Sequence, residues 1–79
     1  MHVQIKLIDI FRDYLPPGSD PSNFVIDLQQ KDMIQDVFRL LGIPDELPRV
    51  ICCNGKTAQE NQKLCKGDVV AIFSPMFGG

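Results

Sequence analysis

The sequence lacks the features that mark several large classes of protein. No apolar run in its 79 residues approaches the length of a membrane span, and its first residues lack the basic and apolar regions of a signal peptide. Lysine and arginine form no cluster, and the net charge is −2, which argues against binding to nucleic acids or anionic membranes. We therefore expect a cytoplasmic protein with no nucleic-acid or membrane partner.

Cysteine and histidine are also scarce. The three cysteines form neither an even-numbered framework nor a Cys-x-x-Cys pair, so a disulfide scaffold, a zinc site and an iron–sulfur cluster are not indicated. Cys52 and Cys53 are neighbours on a predicted strand, so they should point to opposite faces and behave as small buried hydrophobes. Cys65 lies in a polar segment with no histidine close in sequence, and we expect His2 to be a solvated strand residue.

Signals of catalysis are missing as well. The sequence has no phosphate-binding glycine loop and no pair of carboxylates at a spacing typical of acid–base chemistry. We therefore expect no enzyme activity from the chain alone, and no bound metal or cofactor. What remains is the composition of one small globular domain, 44% hydrophobic.

Alternating polarity predicts four strands. The first runs from residue 2 to a bulge or an end near Ile8, and a proline-rich loop at 13–22 leads to a second strand at 24–28. A third strand is expected at 49–53, and a final, wholly apolar strand at 69–73. Both faces of that last strand are apolar, so alternation does not show which side chains point outward.

The stretch between the second and third strands predicts an amphipathic helix. Asp32 suits the N-cap, with Gln35 three residues later as in a capping box, and Gly42 suits the left-handed position after the helix. The residues expected on its buried face are Ile34, Val37, Phe38 and Leu41. After the third strand, Asn54-Gly55 predicts a tight turn, the polar segment that follows is left undecided, and Leu64 is expected to enter the core.

The sequence divides into a body, residues 1–73, and an extended tail, residues 74–79. Pro75 has no N–H and favours extended backbone before it, and Gly78-Gly79 lacks the Cβ atoms that would clash in a narrow slot. Such a tail reaches about 20 Å. Its terminal carboxylate, with a pKa of about 3.5, can attack an activated phosphate on a partner enzyme. The alternative is a disordered end without function.

Four features, taken in order, resemble the MoaD/ThiS group of ubiquitin-like sulfur carriers. The resemblance is closer to the MoaD branch, the molybdopterin synthase small subunit. The four features are the first hairpin with its proline-rich loop, Leu40-Leu41-Gly42-Ile43-Pro44, Cys53-Asn54-Gly55, and the run from Leu64 to Phe73 followed by a proline and Gly78-Gly79. The resemblance implies an α+β, β-grasp fold: a mixed sheet of four to five strands with one main helix on one face. It also implies that the final strand lies centrally, parallel to the first.

The resemblance implies a function in which an adenylating enzyme of the ubiquitin-activating type uses ATP to activate Gly79. A sulfur donor then converts the acyl-adenylate to a thiocarboxylate, which passes sulfur to an acceptor such as a pterin held by the molybdopterin synthase large subunit. Tail recognition would involve Pro75, Met76, Phe77 and Gly78. Ser74, where a proline is common, and the bulky Phe77 depart from the family pattern.

Three alternatives share these features. The carrier could serve thiamine or another sulfur pathway, Gly79 could form isopeptide bonds as a protein modifier, or the domain could be an interaction module with an inactive tail. Carriers of this kind dock through the sheet face away from the helix. We therefore expect exposed apolar area there, from one alternate set among Val69, Ala71 and Phe73.

Overall fold

The computed structural model describes residues 1–29 and 32–75. Its elements are β1 (His2–Leu7), a 3-10 helix (Asp9–Tyr14), β2 (Phe24–Asp27), α1 (Ile34–Leu41), β3 (Val50–Cys53), β4 (Lys56–Thr57) and β5 (Val69–Phe73). The strands form one sheet in the order β2-β1-β5-β3-β4. No helix in the described residues is long and apolar enough to cross a lipid bilayer.

The last strand lies at the centre of the sheet, as expected. It pairs in parallel with β1, with Ile5 opposite Val70, and antiparallel with β3, with Cys53 opposite Val70. The hairpin of β1 and β2 is antiparallel, with Val3 opposite Ile26. The short β4, which pairs with β3 after the Asn-Gly turn, brings the sheet to five strands.

The helix packs against one face of this sheet. Ile34, Val37 and Phe38 are buried together with the inward side chains of the central strands, and Leu41 packs against the same core. Inward residues on β1 and β5 alternate with partly exposed ones, as the period of two requires. Gly42 ends the helix in the left-handed conformation, with φ of 72°.

The predicted start of the helix is wrong. The N-cap is Met33, not Asp32, and the Asp36 carboxylate, not the Gln35 side chain, accepts the hydrogen bond from the N-cap N–H, at 2.7 Å. The reason is that Asp32 makes other contacts: beside the isolated β-bridge of Met33 and Lys63, its carbonyl accepts a hydrogen bond from the Leu64 N–H at 3.1 Å. Its carboxylate accepts one from the backbone N–H of Gln29 at 2.8 Å.

The polar segment before Leu64, which the sequence left undecided, completes the start of the helix. The Gln35 N–H donates to the Glu60 carbonyl at 2.8 Å, and the Ile34 N–H donates to the Gln62 carbonyl at 3.0 Å. These are donors that the helix itself cannot satisfy. Leu64 is 2% exposed and enters the core as predicted.

The 3-10 helix after β1 was not predicted. Sequence alternation placed a bulge or strand end near Ile8, and the strand does end at Leu7, but the chain then turns into a short helix. Phe11 from that helix is fully buried. The element therefore covers one end of the core, close to where β5 ends.

Candidate functional site

The root of the tail lies at the end of the central strand. The Ile8 N–H donates to the Ile72 carbonyl at 3.0 Å, and Val50 pairs with Phe73 in the last register position of β3 and β5. Sheet pairing therefore ends at Phe73, directly before Ser74-Pro75, as predicted from the proline. Ser74 is 4% exposed, and Pro75 is exposed.

The predicted reactive end lies outside the described residues. Met76, Phe77, Gly78 and Gly79 belong to the part of the chain that the structure does not describe, so their roles in tail recognition and in modification stay predictions. The division into a body at residues 1–73 and a tail at 74–79 stays a prediction for the same reason. What the structure does describe is the surface around the tail root.

The structure answers which side chains of β5 point outward. Val70 and Ile72 are fully buried, whereas Val69, Ala71 and Phe73 are partly exposed and lie on the sheet face away from the helix. On β3, Val50 and Cys52 lie opposite Phe73 and Ala71 and are likewise partly exposed. We call the surface made by Val50, Cys52, Val69, Ala71 and Phe73 the outer-face patch.

Charge on this face is sparse. Lys6 is exposed and lies opposite Ala71 in the parallel register, at the edge of the outer-face patch. It makes no ion pair with any of the described residues. On the outer strand, the Asp27 carboxylate accepts a hydrogen bond from the Met1 ammonium at 3.1 Å. That hydrogen bond and the ammonium charge hold the pKa of Asp27 below its ordinary value. Among residues 1–29 and 32–75, Lys6 is thus an unpaired cation beside the patch.

The three cysteines occupy three different environments. Cys53 is 6% exposed, Cys52 is partly exposed on the opposite face, and Cys65 is exposed. The predicted opposite orientation of the neighbouring pair is confirmed, but only Cys53 is a buried hydrophobe. Burial raises the pKa of the Cys53 thiol, and the nearby Asp68 carboxylate raises it further.

The Asn-Gly turn does more than reverse the chain. Asn54 and Gly55 have φ of 53° and 83°, as the turn type requires. The Asn54 side chain also accepts from the Val69 N–H and donates to the Asp68 carboxylate, each at 2.9 Å. The sequence placed Asn54 in a turn and gave no sign of its contact with Asp68, because fourteen positions separate the two residues.

His2 is exposed, as expected, but lies nearer to Cys65 than the sequence indicated. The His2 carbonyl accepts a hydrogen bond from the Gly67 N–H at 3.0 Å. Both His2 and Cys65 line a shallow groove of about 550 Å³ together with Met1, Leu64 and Lys66. Within residues 1–29 and 32–75, no group of three His, Cys, Asp or Glu side chains could hold a metal ion.

Comparisons with known proteins establish the fold. No family model and no curated protein sequence matches the chain. Among solved structures, the crystal structure of SAMP1 from Haloferax volcanii is similar with a TM-score of 0.74, covering 100% of both chains at 19% sequence identity. With the parallel first and last strands and the helix on one face, this likeness confirms the predicted ubiquitin-like β-grasp fold.

Proposed function

We propose that the protein is a sulfur carrier whose Gly79 carboxylate is adenylated and then converted to a thiocarboxylate. The observation that carries the proposal is the position of β5. The central strand of a ubiquitin-like sheet leads directly, through Ser74-Pro75, into a sequence that ends in Gly78-Gly79. The strand is anchored on both sides, so the body can hold the root of the tail in a fixed direction.

The chemistry requires two displacements. A Gly79 carboxylate oxygen attacks the α-phosphorus of ATP held by the partner enzyme, and pyrophosphate leaves. Hydrosulfide released by the sulfur donor then attacks the acyl carbon, AMP leaves with the bonding electrons, and loss of a proton gives the thiocarboxylate. The carrier contributes the carboxylate, and the adenylating enzyme contributes the nucleotide site and the catalytic groups.

The outer-face patch supports docking to such a partner. It presents a continuous apolar surface beside the tail root, with Lys6 at its edge. An apolar partner surface bearing a carboxylate opposite Lys6 would match it in both respects. Docking through this patch would fix the position of the tail root on the partner, and therefore the distance that the tail has to span to reach the nucleotide site.

We place the carrier in molybdenum cofactor biosynthesis, or in the related tungsten cofactor pathway, with the molybdopterin synthase large subunit as the partner that receives sulfur. Support for this branch comes from the sequence: the Ile72-Phe73-Ser74-Pro75 approach to the glycine pair resembles that of molybdopterin carriers. Transfer of Gly79 to lysines of target proteins uses the same activated end. The product distinguishes the two reactions: protein modification gives an isopeptide bond, and sulfur transfer proceeds through a thiocarboxylate.

The proposal is tested by ATP–pyrophosphate exchange with the cognate adenylating enzyme. Full-length protein should support exchange, and deletion of Gly79 should abolish it without changing the unfolding midpoint. Absence of exchange with adenylating enzymes of both the molybdopterin and thiamine types would contradict the proposal.

Docking is tested in the same assay with a matched pair of lysine variants. Lys6→Glu should raise the KM for the carrier ~10-fold, because it places like charge against the partner's carboxylate. Lys56→Glu, on the short edge strand outside the outer-face patch, should change the KM less than ~2-fold. Equal changes in KM for the two substitutions would show that the partner does not dock on the outer-face patch.

A further inference from the structure

We propose that Cys53 and Cys65 form a reversible intramolecular disulfide, a modification site independent of the proposed sulfur-carrier function. The site lies beside the start of β5, and the tail leaves from the other end of that strand. The two cysteines are twelve positions apart in the sequence, yet a single carboxylate holds both segments together.

That carboxylate belongs to Asp68. Its Oδ2 accepts a hydrogen bond from the backbone N–H of Cys65 at 2.8 Å, and its Oδ1 accepts one from Asn54 Nδ2 at 2.9 Å. Asn54 directly follows Cys53, and the Asn54 N–H also donates to the Val69 carbonyl at 2.8 Å. The backbone of one cysteine and the residue next to the other are thus fixed to the same side chain.

The strand register places Cys53 beside the run that carries Asp68. Cys53 lies opposite Val70 on the inner face of the sheet, and Asp68 precedes Val70 by two positions along the same run. The charges of Asp68 and, to a smaller extent, Cys65 add to the effect of burial in raising the pKa of the Cys53 thiol. Asp68 therefore joins the segments of Cys53 and Cys65, whereas Cys52 points to the outer face.

Exposure sets the order of reaction. With a small disulfide such as oxidised glutathione as the oxidant, the exposed Cys65 thiolate attacks one sulfur, and one molecule of small thiol leaves. Cys53 then loses its proton to water and attacks the Cys65 sulfur of the mixed disulfide, and the second small thiol leaves. Two protein thiols are oxidised, and one small disulfide is reduced to two thiols.

The bond would join β3 to the segment that completes the start of the helix. Glu60 and Gln62 accept hydrogen bonds from the first helical N–H groups, so the cross-link would tie the helix start to the sheet. A cross-link also restricts the unfolded chain. The oxidised protein should therefore unfold at a higher denaturant concentration than the reduced protein, and a reducing agent should reverse the shift.

The experiment uses the reduced full-length protein incubated with increasing oxidised glutathione. Intact mass should fall by two hydrogen atoms, and a non-reducing digest should contain linked peptides from Cys53 and Cys65. Only Cys52 should then react with an alkylating agent. Cys52→Ser should cross-link as the wild type does, and Cys65→Ser should neither cross-link nor shift its unfolding midpoint on oxidation.

Three outcomes would overturn the proposal: lasting glutathionylation of Cys65 without a second displacement, a dimer linked through Cys65, or a bond that includes Cys52. The exposed position of Cys65 makes its serine variant the main control. Cys53 is buried, so the test uses the Cys65 and Cys52 variants and no Cys53 variant.

Discussion

Arg49 is predicted to be the main polar anchor of the loop that follows the helix. Its Nε donates to the Leu47 carbonyl at 2.8 Å, and its other nitrogens donate to the Pro44 carbonyl and to the Glu60 carboxylate, the latter at 3.1 Å. The guanidinium also lies over the Phe38 ring, 4.4 Å from its centroid. These contacts join the helix, the loop after it and the segment of Glu60, and the Arg49 side chain is only 8% exposed.

The substitution Arg49→Ala removes all of these contacts at once. A hydrogen bond from a charged donor contributes about 1.5–3 kcal/mol, and a cation–π contact about 0.5–2 kcal/mol. Glu60 is half exposed and water can replace the lost donors, so we expect a net loss of about 2–3 kcal/mol. The total stability of a domain of 79 residues is roughly 4–12 kcal/mol, so this loss is a large share of it.

Urea unfolding followed by circular dichroism measures the loss. Arg39→Ala is the matched control, because that side chain is 73% exposed and its one ion pair, with Asp36, is 3.4 Å long. We expect the control to lose less than about 0.5 kcal/mol. Arg49→Lys should recover under half of the loss, since an ammonium cannot reproduce the planar fork of donors. Equal unfolding midpoints of Arg49→Ala and Arg39→Ala would show that the contacts of Arg49 add no stability.

Two further predictions concern residues at the ends of strands. Asn54→Ala should lower the free energy of unfolding by about 2 kcal/mol, because it loses two side-chain hydrogen bonds and places alanine at a strained positive φ. Asn54→Gly should lower it by about 1 kcal/mol, because only the hydrogen bonds are lost. Equal losses in urea unfolding would contradict a separate contribution from backbone strain. The lowered pKa of Asp27 contributes stability at pH values above its unfolded pKa, and this is lost as pH falls through the folded value. Asp27→Asn should therefore flatten the acid limb of a plot of unfolding midpoint against pH, and an unchanged limb would show that the contact with Met1 contributes nothing.

The sequence predicted the elements whose side chains repeat with a clear period. Alternation located β1 because Val3, Ile5 and Leu7 all face the core, and the apolar stripe located α1 for the same reason. The start of the helix was missed because the Asp32 carbonyl is used by Leu64, a long-range contact that no local pattern records.

The site was less predictable than the fold. Both faces of β5 are apolar, so only the packing of the helix on one side shows that Val69, Ala71 and Phe73 face outward. The contacts that Asp68 makes with Asn54, next to Cys53, and with the Cys65 N–H depend on the pairing of β3 with β5. Such contacts follow from topology, and the sequence pattern alone carries no sign of them.

We propose that Gly79 becomes a thiocarboxylate. The most direct measurement is the mass of the C-terminal peptide after the full-length protein has been incubated with its adenylating enzyme, ATP and a sulfur donor. We expect a gain in mass equal to the replacement of one oxygen by sulfur, dependent on ATP and absent when Gly79 is deleted. An unmodified C-terminal carboxylate, or Gly79 found only in isopeptide linkage to lysine, would contradict it.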